Sequence, residues 1–269
     1  MNSAPHKTSV SYWQLPALWG LDVALCALCW GVLVAAHYGI TMITTGPLLV
    51  LSSTVWLVVM AGRLTKACGG QKMMSADFYR RNLVPLLPLF LAVLGATWWM
   101  LFFRVGQYLL YFGLIPFLML GVSRFPLLYR IPGFSLFFKS AAFVFACAVP
   151  TFYYSFYLSP LQMWQSTPLW MLAVLFFLFH VERGRAASGM GGVQVFCLAA
   201  VFGFSMFRMI HAPAGVSSWY LILCMAVAGV HMLFRLRARL SEEAWYALGW
   251  PVMTVPALLG IVAFAPEAW

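Results

Sequence analysis

Acidic residues are the scarcest chemistry in this chain. Asp22, Asp77, Glu182, Glu242, Glu243 and Glu267 stand against sixteen Lys and Arg. Charged residues of both signs make up only 8% of the sequence, where a soluble domain carries about 25%. Too little polar side chain is left to coat a surface facing water, so most of the solvent must be lipid. The shortage of acids also limits catalysis. Magnesium takes oxygen ligands, usually one or two carboxylates plus substrate phosphates, and only Asp77 and Glu182 fall on segments suited to that. No G-x-S-x-G elbow, H-E-x-x-H pair or P-loop is present, which removes the hydrolase, zincin and nucleotide-cradle readings. The six cysteines lie scattered, mostly in apolar runs, and imply no disulfide framework. Cys26 and Cys29 match C-x-x-C, but mid-helix, with no second pair or histidine partner.

What the chain has instead is grease and cations. Apolar residues make up 64% of it, aromatics 17%, mean hydropathy is +0.90 and net charge is +10. A span needs about 20 mainly apolar residues. Reading between charged and Pro/Gly-rich breaks gives nine: Leu15–Ala36, Thr41–Ala61, Leu83–Phe103, Gly106–Leu128, Phe138–Leu158, Pro168–Val181, Gly192–Ile210, Ser217–Leu236 and Ala244–Ala265. The first run is too long for a signal peptide and reads as an uncleaved anchor. With the N-terminus inside, the inner face collects Lys7, Arg63, Lys66, Lys72, Arg80, Arg81, Arg124, Arg130, Lys139, Arg183, Arg185, Arg235, Arg237 and Arg239. Only Arg104 and Arg208 remain outside. That asymmetry is the positive-inside pattern, and it sets an N-in, C-out orientation. The expectation is an all-α polytopic membrane protein, one transmembrane helical domain over 1–269, with no internal repeat. The positive charge then belongs to cytoplasmic loops and anionic headgroups, not to nucleic acid.

Ionisable groups in hydrocarbon are functional candidates by default. Asp22 lies in the first third of the first span. His180, Glu182 and Arg183 close the sixth, where a charged helix end meeting water is the plainer alternative to an anion or metal site. His231 is a lone histidine in an apolar helix and reads as structural. The segment Val58–Asn82 carries Arg63, Lys66, Lys72, Arg80 and Arg81 with the single acid Asp77. Here the second span is expected to close at Gly62, with a loop over Arg63–Asp77. Together with SRFPLLYRIPGFSLFFKS, which holds Arg124, Arg130 and Lys139, and with RLRARLSEE, this loop would converge on one inner mouth. Arginine and lysine there suit phosphate or diphosphate oxygens.

Nine helices with the two most polar connections after the second and sixth resemble the UbiA superfamily of intramembrane prenyltransferases. STVWLVVMAGRLTKA followed by SADFYRRN is similar to a divergent bacterial branch of it, as is LYRIPGFSLFFKS at the turn between the fourth and fifth helices. The resemblance implies a helical bundle in the bacterial cytoplasmic membrane. It also implies an isoprenoid diphosphate held by magnesium on two aspartate-rich motifs. Carried over residue by residue, Arg63, Arg80 and Arg81 match basic positions, but Gly62 and Lys66 stand where acids are expected. After the sixth helix only Glu182 is a carboxylate, beside His180 and Arg183. Lys66 puts a cation where a magnesium ion would sit, which suits direct phosphate binding and repels metal.

Two classes of function follow. The first is a UbiA-like protein handling a polyprenyl or other lipid at its cytoplasmic face, as a prenyltransferase-like transferase with an altered site. Its headgroup ligands would be Arg63, Lys66, Lys72, Arg80, Arg81, Arg130, Lys139 and Arg183, with Asp77 and Glu182 as the metal candidates. The second is a non-catalytic lipid-binding or accessory subunit, expected to fill its centre with side chains such as Trp98, Trp99 and Phe103. A small-molecule or lipid transporter is a further alternative.

Overall fold

The computed structural model describes residues 14–40, 44–69, 74–105, 108–125, 133–154, 160–184, 192–211 and 214–264. Among the described residues every regular element is helical. In chain order they are α1 (Leu15–Trp19), α2 (Leu21–His37), α3 (Thr45–Cys68), α4 (Met74–Arg81), α5 (Leu83–Met100), α6 (Tyr108–Ser123) and α7 (Phe134–Tyr154). Then follow α8 (Pro160–Gln165), α9 (Thr167–Gly184), α10 (Gly192–His211), α11 (Ala214–Leu236) and α12 (Glu242–Phe264). A π-helical turn, Leu101–Val105, continues α5, and a 3-10 turn, Arg237–Arg239, follows α11.

Five helices are long and apolar enough to cross a membrane: Thr45–Cys68, Leu83–Val105, Phe134–Tyr154, Gln194–His211 and Ser218–Leu236. Shorter apolar helices at Leu21–His37, Tyr111–Ser123, Thr167–Val181 and Ala247–Ala263 occupy the other four positions expected from the sequence. The protein is therefore all-α and of integral-membrane type.

At the centre lies α2, packed by α3, α7, α11 and α12. It is apolar on all sides, as a helix must be when no face meets a polar solvent. Trp30 is fully buried there, edge-on to Phe176 (6.3 Å) and Trp219 (5.7 Å), and its indole N–H donates to the Met253 carbonyl at 3.1 Å. A Cβ on Gly31 would stand 2.9 Å from Leu51 Cδ2 and 3.3 Å from the Cys147 carbonyl oxygen. The missing side chain is what lets three helices close around one point. Phe145, Phe152, Phe176, Phe179 and Tyr220 complete the filling. Trp98, Trp99 and Phe103, proposed from sequence as core fillers, instead face outward at 62%, 51% and 75% exposure. They lie on the outer surface of α5 and its π turn, the least enclosed of the five long apolar helices. All six cysteines are free.

Two sequence expectations need correction. The first span is not one helix. It breaks at Gly20, whose φ of +71° is a left-handed conformation that ends α1 and starts α2. Glycine reaches that region without steric cost. Nor does the second span close at Gly62. α3 runs on to Cys68, and α4 forms where a loop was expected, so Arg63 and Lys66 are helical residues. Positive charge near a helix carboxyl end is favoured by the macrodipole, so the charges read as a loop signal suit the last turns of α3 equally well.

Candidate functional site

The break at Gly20 leaves the carboxyl end of α1 inside the protein, where its carbonyls need donors. Each is met. The Gly20 N–H reaches Ala17 O at 3.3 Å. Arg63 donates from one guanidinium nitrogen to Ala17 O at 2.6 Å and Leu18 O at 2.8 Å. The Tyr79 hydroxyl also donates to Leu18 O, and Trp56 Nε1 donates to Trp19 O at 2.8 Å. Tyr79 is fully buried and lies 3.1 Å from Arg63 through its hydroxyl. Its position explains α4: this short helix presses Tyr79 against Met60 and Arg63 and lets Arg80 Nε donate to Ala67 O at 2.9 Å. Arg63, expected as a phosphate ligand, thus caps a half-helix. A side chain at Gly20 would come within 3.2 Å of Val59 Cγ1 and 3.5 Å of Arg63 Nη1.

One turn beyond, Lys66 is exposed and does something different. Arg124 lies just past the end of α6, and Lys139 lies in the second turn of α7. Lys66 and Arg124 are near enough for their charges to act on Lys139. Lys139 is exposed too, and no carboxylate pairs with any of the three among the described residues. Lys139 is thus repelled by two like charges from the ends of two other helices, and such an arrangement favours an anion beside it. Arg124 did not figure among the ligands expected from sequence. It follows a buried serine at the end of α6 and looks there like an ordinary helix-end cation.

The same three helices enclose a cleft of about 590 Å³. Its walls are Pro47, Val50, Leu51 and Thr54 of α3, residues from Leu109 to Phe117 of α6, and Ala146, Val149 and Pro150 of α7, with Leu101 and Phe102 of the π turn above. The lining is almost wholly apolar. Tyr111, Leu114 and Phe117 on its rim are exposed, so it opens on the side of the bundle. A second cleft, about 420 Å³, lies on the opposite face of α3 between α2 and α5 and is also apolar.

The remaining candidates separate cleanly. Arg81 is exposed on α4 with Arg80. Lys72 and Arg130 lie outside the described residues, as do the side chains of Asp77, Glu182 and Arg183. His180 is accounted for by structure. Its Nδ1 carries the proton, donating to the Phe176 carbonyl at 2.7 Å beside Ser140 Oγ at 3.3 Å, and the ring sits edge-on to Trp250 at 5.5 Å. His231 Nε2 lies 3.5 Å from Arg235 Nε one turn away. Asp22 Oδ1 accepts from the Val23 N–H at 2.9 Å, in the first turn of α2, where negative charge suits the helix dipole. Among the described residues no group of three His, Cys, Asp or Glu side chains is arranged to hold a metal ion.

No family model matches this chain, no curated protein matches it, and no solved structure matches its fold.

Proposed function

We propose that the protein handles an anionic lipid, with the chain in the cleft between α3, α6 and α7 and the headgroup at Lys66, Arg124 and Lys139. One observation supports this reading: α3, α6 and α7 wall the apolar cleft along one half of their length and carry Lys66, Arg124 and Lys139 at their other ends, with no carboxylate paired to the three among the described residues. The cleft suits a chain and the cluster suits phosphate or carboxylate oxygens, so the pair matches one amphipathic molecule. With nine spans and the N-terminus inside, this mouth lies at the cytoplasmic face, where the positive-inside pattern puts basic residues. A bacterial cytoplasmic membrane and a phosphorylated isoprenoid are the location and lipid that the UbiA-like layout suggests. Arg80 and Arg81 would border the mouth on α4, and Arg63 would hold the α3 end in place without touching the lipid.

Whether the lipid is merely bound or is cleaved turns on a leaving group. Ionising an allylic diphosphate requires neutralising a dianion, which three cations assist; Asp77 and Glu182 are the carboxylates that would hold magnesium. The solidly filled centre around Trp30 favours the non-catalytic form of the same reading, a lipid-binding or accessory membrane subunit. Lipid mass spectrometry on the purified protein decides it, run with and without magnesium and an isoprenoid diphosphate. Retained anionic lipid that is lost in the K66Q/R124Q/K139Q variant supports the site, and diphosphate release supports transfer. Equal lipid retention by both proteins would refute the headgroup assignment.

A further inference from the structure

The cleft between α3, α6 and α7 is apolar by side chain but not by backbone. Pro116 of α6 and Pro150 of α7 both sit inside helices, and both rings line the cleft. A proline has no N–H, so the carbonyl four residues earlier loses its helical donor. Those carbonyls belong to Phe112 and Ala146. A helical carbonyl points toward the N–H four residues on, which here is a proline ring on the cleft wall, so each orphan acceptor lies beside that wall. Little covers them. Gly113 follows Phe112, lines the cleft and has open space where a Cβ would be, and Ala146 contributes only a methyl group.

Depth along the bundle brings these acceptors together. The two gaps centre on residues 114 and 148, each roughly 14 Å along its helix from Arg124 or Lys139 at about 1.5 Å per residue. Phe112 and Phe152 touch across the helix pair at 6.3 Å, consistent with matched depth. Thr54 of α3, another wall residue, is roughly 18 Å from Lys66 by the same measure. Its neighbour Ser53 donates to the Leu49 and Val50 carbonyls at 2.7 and 3.2 Å, while the Thr54 hydroxyl makes no such bond among the described residues. A backbone acceptor exposed at membrane depth is costly unless something donates to it.

We infer that this cleft selects lipids carrying a hydrogen-bond donor, such as a hydroxyl, partway along the chain. The donor would meet the Phe112 or the Ala146 carbonyl, with Thr54 beside it, while the anionic head sits at Lys66, Arg124 and Lys139. The inference rests on the headgroup reading above and adds a chain specificity that a plain isoprenoid or saturated chain would not satisfy.

The test keeps the head constant and changes the chain. Labelled stearate bound to the detergent-solubilised protein is displaced by unlabelled stearate or by a mid-chain hydroxystearate. The native protein is expected to prefer the hydroxylated chain by roughly fivefold, the ratio one net hydrogen bond supplies. In the Pro116→Ala/Pro150→Ala double variant, restored N–H groups occupy the carbonyls, and the ratio of the two affinities should fall to about one, whatever the variant does to stearate affinity itself. Alanine is the better helix former, and circular dichroism of the purified variant checks that its helical fold is kept. Thr54→Val should reduce the preference in part. Equal affinity of the two chains for the native protein, or a preference that survives the double proline replacement, overturns the inference and leaves the headgroup reading standing. If stearate does not bind at all, the headgroup reading fails and this one with it.

Discussion

Arg63 and Lys66 lie one turn apart on α3, and both read from the sequence as phosphate ligands. Arg63 spends its guanidinium on the Ala17 and Leu18 carbonyls at the broken end of α1. Lys66 is exposed and acts by its charge, with Arg124, on Lys139. The difference follows from what each cation faces. Arginine offers several donors in a fixed planar fork, which suits two carbonyls held by a helix terminus. Lysine is a compact, well-hydrated point charge on a flexible stem, which suits a mobile anionic ligand. Charge near the end of a helix can therefore serve the fold or a ligand, and only its partners tell which.

The largest way to break this contrast is Arg63→Met, which keeps the stem but removes the donors. Two enclosed carbonyls lose a charged partner, so a stability loss of about 2–4 kcal/mol is expected, read as a lower thermal midpoint in detergent with lipid-head selectivity unchanged. A clear loss of anionic-lipid binding in folded R63M would instead return Arg63 to the ligand set. Gly20→Ala comes next, at about 1–2 kcal/mol, because its φ of +71° is strained for a side chain and Val59 crowds the Cβ. Denaturant midpoints of the two variants and their combination should add to less than the sum, since both loosen the same α1 terminus. Tyr79→Phe removes one hydroxyl donor from Leu18 O and should cost about 1 kcal/mol. Smallest in stability is Lys66→Gln, within about 0.5 kcal/mol as for exposed substitutions. That variant should still lower retention of anionic lipid, and the loss should shrink as salt rises. If Lys66→Gln destabilises as strongly as Arg63→Met, the division between fold and ligand collapses.

Some of this was legible early. The all-α membrane character followed from 64% apolar residues and 8% charge, because no water-facing surface can be made from that composition. The expected spans lie within a few residues of the helices at most ends. The break at Gly20 was not visible, since a lone glycine in an apolar run signals nothing until its φ is known. The α3 extension was missed for a related reason: GRLTKAC reads as a polar boundary by charge, yet nothing in it opposes a helix. Arg124, in a stretch expected at the inner mouth, is not singled out as a ligand by the sequence, because its significance comes from Lys66 and Lys139, which are 58 and 15 residues away in the chain.

By itself, then, the sequence determined the solvent and the helical class. Both depend on composition and on stretches of about 20 residues, which local physics governs. Tertiary structure decided the work of each cation and the position of the cleft. Whether a guanidinium meets a carbonyl or open space depends on which helix ends meet, and that is set by packing around α2, not by the residues beside it in the chain.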